Sequence, residues 1–430
     1  MKSRKFVALG FCLHFTLSNM TNLNTTYSNR VLNAAVIVAA LGYFVDIYDL
    51  LLFSIVRVQS LKSLGFSGQE LTDKGILLLD VQMIGMLLGG ILWGVWGDKR
   101  GRLTVLFGSI FLYSVANIAN GMVNSIETYA LWRFIAGIGL AGELGAGITL
   151  VTEILPKEKR GYGTTIVASV GIMGAVAAGI IADNFDWRTC YYIGGGLGLL
   201  LLVLRIGVSE SGMFAQAKQE AHKRGDFLAL FRNKSRFLKY LRFILIGLPI
   251  WYAVGILITL SPEFAPLLGV TGAVLAGKSV MFCYAGMVVG DVASGLLSQY
   301  LKSRVKVLYI FWSLSVLAIG AYFSLNGLSV AQFYGVCAFL GFSVGSWVIF
   351  MTSAAEQFGT NIRATVTTTV PNFVRASVVP MTALFQILAS FTDIITAAVM
   401  TGLLALILAA YAISTLHETF HEDLDYSEEM

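Results

Sequence analysis

Histidine is nearly absent from this 430-residue chain. There are four, His14, His222, His417 and His421, and none falls inside a long apolar run. Any proton relay through those runs must therefore use carboxylates. Charge is scarce as well: Asp, Glu, Lys and Arg make up 13% of residues, about half the roughly 25% of a soluble globular chain. There are only six prolines. The four cysteines, Cys12, Cys190, Cys283 and Cys337, stand singly in apolar segments, with neither metal-ligand spacing nor a disulfide framework. They read as small hydrophobes. No nucleophile–base pair, metal cluster or phosphate-binding loop is visible, so an enzyme is not expected and no metal or cofactor is implied. The net charge of +5 is small and sits in loops, which argues against nucleic acid as a partner.

What the chain does have is oil: 56% hydrophobic residues and 45 glycines. A membrane-spanning helix needs about 20 apolar residues. Twelve segments qualify, Val31–Val56, Ile76–Trp96, Leu103–Val123, Thr128–Val151, Thr164–Ala182, Tyr191–Val208, Leu241–Phe264, Val274–Leu301, Val305–Leu325, Ala331–Ala355, Thr365–Ser390 and Ile394–Leu416. The expectation is an all-α integral membrane protein with the lipid bilayer as its solvent. The longest polar stretch splits the twelve into two sixes. Five regions follow: a leader (1–30), a six-helix bundle (31–208), a basic loop (209–240), a second bundle (241–416) and an acidic tail (417–430).

Orientation follows from the bias of Lys and Arg toward cytoplasmic loops. Lys99, Arg100 and Arg102, then Lys157, Lys159 and Arg160, then Lys302, Arg304 and Lys306, and Arg363 fall on one side. Arg57, Lys62 and Lys74 on the other side weaken the contrast. Both termini are expected in the cytoplasm, and the short loops fit a bacterial inner membrane. The leader has a basic start and a short apolar core but no small-residue cleavage site, and no function is assigned to it. The tail reads as a solvated end.

The halves repeat. "EILPKEKRGYGTT" (Glu153–Thr165) parallels "EQFGTNIRATVTT" (Glu356–Thr368): in each a Glu precedes an Arg by seven residues, Glu153/Arg160 and Glu356/Arg363. "GVWGDKRGR" has a worn counterpart in "GLLSQYLKSR", where Gln299 replaces the acid, so any contact there should be weaker. Inverted or repeated bundles point to a transporter with its substrate midway between the repeats.

Inside the oil, "GYFVDIYDLLLF" (Gly42–Phe53) carries Asp46 and Asp49 three residues apart, on one helix face. A carboxylate at mid-bilayer costs roughly 2.5–3.5 kcal/mol on insertion scales. Two close acids cannot both ionise cheaply, so the pair is expected to take up and release a proton. Arg375, between Pro371 and Pro380, is equally costly unless it meets an anion. It is a candidate for binding a substrate carboxylate or phosphate, the alternative being a pair with Asp291 or another acid. Asp80, Gln82, Asp291, Tyr48, Trp251 and Tyr252 complete the intramembrane candidates for substrate contact. Aromatics in such helices are also simply packing.

"GVWGDKRGRL" resembles the signature loop of the major facilitator superfamily. "RFIAGIGLAGELGAGITLVTEILPKEKRG" (Arg133–Gly161) is similar to the helix-4 signature of its sugar-porter and metabolite:proton symporter branches, and "FVDIYD" resembles the helix-1 motif of organic-acid and aromatic-acid symporters. The "DWR" at Asp186–Arg188 and "EQFGTNIRAT" fit the same group. The resemblance implies twelve helices in two pseudo-symmetric six-helix bundles, and secondary transport by alternating access. It places Asp49 opposite Arg133 as a proton-sensitive contact, and makes Glu143 either a second proton site or a packing group. It also implies a cytoplasmic gate of Gly94, Asp98, Arg102, Glu153, Arg160, Glu356 and Arg363. Gly94 and Gly101 would form a tight turn, with Arg102 pairing with Glu153. The alternative is that these charges only set topology.

The expected function is proton-coupled symport of a small anionic or zwitterionic metabolite by a monomer. A sugar or polyol symporter and a proton-driven exporter compete. Segment 7 lacks the Gln/Asn-rich face that would hold sugar hydroxyls, and "GIMGAVAAG" lacks the proline of drug exporters.

Overall fold

In the computed structural model, residues 34–100, 102–143, 157–209 and 229–420 are described. Among the described residues the helices that build the two halves are α1 (Ala34–Ser63), α2 (Gly68–Arg100), α3 (Arg102–Asn120), α4 (Ile126–Leu140), α5 (Lys157–Asn184), α6 (Trp187–Ser209), α7 (Lys234–Tyr252), α8 (Ala276–Leu301), α9 (Arg304–Ser324), α10 (Val330–Val344 and Trp347–Glu356), α11 (Thr360–Ala376 and Val378–Ala389) and α12 (Ile394–Ser414). Among the described residues, ten helices are long and apolar enough to cross a membrane, and α3 adds the shorter apolar run Thr104–Asn120. The polarity is that of a protein dissolved in lipid. Leu200, Val203, Leu296 and Ile407 face outward, while Asp46, Asp49, Arg133 and Arg375 are buried.

α1 packs on α5 and α6, and α2 on α4; correspondingly α7 packs on α11 and α12, and α8 on α10. Between the halves, α2 meets α11 and α5 meets α8. The repeat extends to single atoms. A Cβ on Gly137 of α4 would collide with the carbonyl of Gln82, and one on Gly85 with the carbonyl of Phe134. In the other half Gly341 faces the carbonyl of Cys283 in the same way, and Gly286 that of Ala338. Backbones this close need small residues at the crossing, which explains part of the glycine content.

Polar caps and breaks shape the interior helices. Asn233 caps α7 through the N–H groups of Ser235 and Arg236, so Lys234, Arg236 and Lys239 belong to this helix rather than to the loop. α7 then contains Pro249 and loosens into a π-helical turn at Ala253–Ile258. Proline removes a ladder hydrogen bond, and π turns gather at functional sites. α11 is interrupted at Ser377, between Pro371 and Pro380, as the prolines suggest.

Candidate substrate and proton site

Arg375 sits one residue before the point where α11's first segment ends, at 2% exposure. Its Nη2 lies 3.7 Å from Oδ2 of Asp46 in α1, so the contact joins the two halves. That distance is an ion pair too long for a hydrogen bond. Neither Asp46 oxygen accepts a hydrogen bond from the protein, and Nε and Nη1 of Arg375 donate none. Tyr43, one turn before Asp46, and Tyr284 of α8 share the electrostatic surroundings of Arg375. The centre of the molecule thus holds a carboxylate and a guanidinium from opposite halves, close but unsatisfied. The partner left open for Arg375 is an acid of α1, not Asp291.

The expected pairing of Asp49 with Arg133 is not made. Arg133 Nη2 donates a short hydrogen bond to Oε1 of Gln82, Nη1 donates to the Tyr191 hydroxyl at 3.4 Å, and the guanidinium lies over Phe53. The Tyr191 hydroxyl continues to that of Tyr129 at 2.8 Å, which reaches Ser60 at 3.3 Å. A step of three residues turns a helix by about 300°, so Asp46 and Asp49 point about 60° apart. That difference sends Asp46 to the interface, while Asp49 packs where Gly194 of α6 has no side chain. Neither oxygen of Asp49 accepts a hydrogen bond.

Glu143 has a full set of partners. Arg205 of α6 grips it with Nη1 at 3.0 Å and Nη2 at 2.8 Å, and Ser109 of α3 donates at 2.9 Å. Gly42 of α1 lies against this pair with no room for a Cβ. The arrangement is a buried knot tying α3, α6 and the end of α4 beneath α1.

Other candidates do not line the centre. Tyr48 donates to the Cys190 carbonyl at 3.0 Å, and Tyr252 to that of Ala398 at 2.6 Å, each inside its own half. Trp251 is buried within α7. Asp291 accepts the N–H of Val348 at 3.3 Å, supplying the start of α10's second segment with the cap that Ser346 does not give. Asp80 meets the hydroxyl of Thr382 in α11.

At the end where the gate was expected, Gly94 lies within α2 and not in a turn, and a Cβ there would meet nothing within 4 Å. The side chains of Asp98, Arg102, Arg160 and Arg363, and all of Glu153, lie outside the described residues. Glu356 pairs with Arg304 at 3.1 Å despite the Gln299 substitution. The tail is more than a solvated end: Thr419 donates to Glu356 at 2.6 Å, and Glu418 accepts the N–H of Arg304 at 2.9 Å.

Two functional-looking cations escaped the sequence reading. Arg205 is a charge inside an apolar run, the same signal that singled out Arg375. Arg57 reads as a loop residue, yet α1 continues past it. It is fully buried and crosses to the other half, meeting Glu263 at 2.5 Å and the Thr259 carbonyl at 3.1 Å.

A profile of the Major Facilitator Superfamily matches residues 35–379. A Haemophilus influenzae protein whose name places it among metabolite transport proteins is 27% identical over 370 residues, covering 83% of this chain and 88% of its own length. The 3-(3-hydroxy-phenyl)propionate transporter of Escherichia coli is 27% identical over 292 residues, covering 66% of this chain and 70% of its own. The proton:xylose symporter XylE superposes with a TM-score of 0.69 over 94% of this chain and 98% of its own, at 17% identity, a likeness of fold. The chain belongs to the Major Facilitator Superfamily of membrane transporters.

Proposed function

We propose that this transporter is a proton symporter for small carboxylates, working by alternating access of the halves 31–208 and 241–416. The observation that carries this reading is the Arg375–Asp46 pair, 3.7 Å apart and drawn one from each half. A substrate carboxylate fits Arg375, whose planar fork suits such groups. The named substrate of the E. coli relative, a hydroxyphenylpropionate, is a carboxylate of this kind.

Charge balance then couples proton to anion. With neither bound, Asp46 and Arg375 neutralise each other and the empty carrier can reorient. With a proton on Asp46 and a substrate carboxylate on Arg375, the site is neutral again. With only one of the two bound, an unpaired charge is left buried, at a cost of several kcal/mol, and the halves cannot close on it. Asp49, one turn along α1 from Asp46 and without a hydrogen-bond donor of its own, is the second carboxyl that can hold the proton, while Arg133 is engaged by Gln82 and the Tyr191–Tyr129 chain. In this reading both termini lie in the cytoplasm of a bacterium. The inner gate is formed by Gly94, Asp98, Arg102, Glu153 and Arg160, with Glu356 and Arg363 as counterparts.

The test is uptake into proteoliposomes under an inward proton gradient. The panel spans aromatic and aliphatic carboxylates, their neutral amides, and sugars. Carboxylates should accumulate and amides should not. Arg375→Gln should lower kcat/KM by about 10²-fold, the worth of a charged hydrogen-bond set near 3 kcal/mol, with Arg375→Lys intermediate. Gradient-driven uptake of sugars that survives Arg375→Gln would sink the carboxylate assignment. Full accumulation by Asp46→Asn would sink the coupling.

A further inference from the structure

Asp80 was expected to touch substrate, but it faces the other half. Its Oδ1 and Oδ2 lie 2.8 and 2.9 Å from the Thr382 hydroxyl of α11. That same hydroxyl lies 3.0 Å from the carbonyl of Val378 and 2.9 Å from that of Val379. Four acceptors compete for one hydroxyl proton.

Among the described residues no other hydrogen-bond donor reaches Asp80. Leu77 and Ile84, at i−3 and i+4 on α2, are 45% and 39% exposed, so the apolar outer surface begins within a turn of Asp80 on either side. The charged groups of the packed helices are placed elsewhere. Arg57 is on Glu263, Arg133 on Gln82, Arg375 beside Asp46, and Asp49 against Gly194. None of them makes an ion pair with Asp80. An ionised carboxylate here would hold one shared donor and no counter-charge. A protonated one donates to Thr382 Oγ1, which in turn donates to the Val378 carbonyl, so each hydroxyl proton has its own acceptor and no charge is left buried.

We propose that Asp80 is a second proton-bearing residue, and that α2 closes on α11 only when Asp80 is neutral. When the halves part on this side, Asp80 meets water and exchanges its proton with it. When they close, the proton is carried inside the contact, and it is returned to water at the next opening. The inference rests on the symport reading for the use made of the proton, and on hydrogen-bond accounting for its presence.

Two readouts that need no substrate test it. The first is the infrared carbonyl stretch of protonated carboxyl groups in membranes at neutral pH. Intensity should be lost in Asp80→Asn, shifted in Thr382→Val and kept in Asp46→Asn. An unchanged band in Asp80→Asn overturns the proposal. The second is the distance between spin labels at Gln69 and Ser390, near the ends of α2 and α11. It should lengthen with rising pH in the native chain, stay short at all pH in Asp80→Asn, and stay long in Thr382→Val. A native pH response in Asp80→Asn also overturns it. Absence of any gradient-driven uptake by the native chain would instead remove the symport reading and leave these two results to decide the role of Asp80.

Discussion

Arg57 and Glu263 bind at 2.5 Å across the two halves, at the end of the molecule where α1 and α7 finish. Thr259 reinforces the contact, donating to Ser54 at 3.2 Å while its carbonyl accepts from Arg57. Arg57 is wholly buried, and Glu263 is 17% exposed. Thr259 follows the π-helical turn of α7, so this latch grips that helix where its α-helical pairing is interrupted.

Glu263→Gln should therefore open this end. Breaking a buried pair costs about 3–5 kcal/mol, most of it from the stranded guanidinium. A cysteine at Ser54 should become reactive to an impermeant maleimide in this variant and stay protected otherwise. Equal protection in both would show that the pair does not hold the end closed.

The Glu143–Arg205 knot predicts non-additivity. Arg205→Gln strands a buried carboxylate and should cost the N-terminal half about 3–5 kcal/mol, seen as a lower Tm in detergent. The double variant Glu143→Leu with Arg205→Met should recover most of the loss. If the double variant is as unstable as the single one, or if the single ones lose only gradient-driven uptake, Glu143 is a proton site after all.

Asp291 as a helix cap predicts tolerance of the neutral amide. Asp291→Asn keeps an oxygen for the Val348 N–H and should melt nearly as the native chain does. Asp291→Ala removes the cap and should cost about 1 kcal/mol. Transport lost equally in both would return Asp291 to the substrate site.

The tail predicts an acid-sensitive dock. Burial opposes the charge of Glu418, but the Ser303 hydroxyl and the N–H groups of Arg304, Phe420 and Val305 outweigh it and hold the carboxyl below its ordinary value. A depressed acid contributes stability above its unfolded value, near 4.3, and loses it as pH falls through the folded value. Hydrogen exchange at the start of α9 should be slow at neutral pH and rise only below the ordinary glutamate range. Glu418→Gln should exchange fast throughout, and protection there equal to the native chain would show that the tail does not dock through this carboxylate.

The sequence carried the architecture because its signal is local. Twelve apolar runs and the duplicated Glu–Arg spacing each survive reading one window at a time. The costly charges Asp46, Asp49 and Arg375 were visible for the same reason, since an ion in an apolar run stands out wherever its partner is. Arg205 was visible by that rule and overlooked. Arg57 was hidden, because α1 runs seven residues beyond the apolar segment that marks it.

What the sequence alone determined is that this chain spans the membrane as two related six-helix halves with acids and arginines trapped inside. Which acid meets which arginine was decided only by the tertiary structure. The choice of Asp46 rather than Asp49 for Arg375, and of Gln82 rather than Asp49 for Arg133, hangs on about 60° of rotation about one helix. Helix packing between distant segments sets that angle, and no spacing along the chain encodes it.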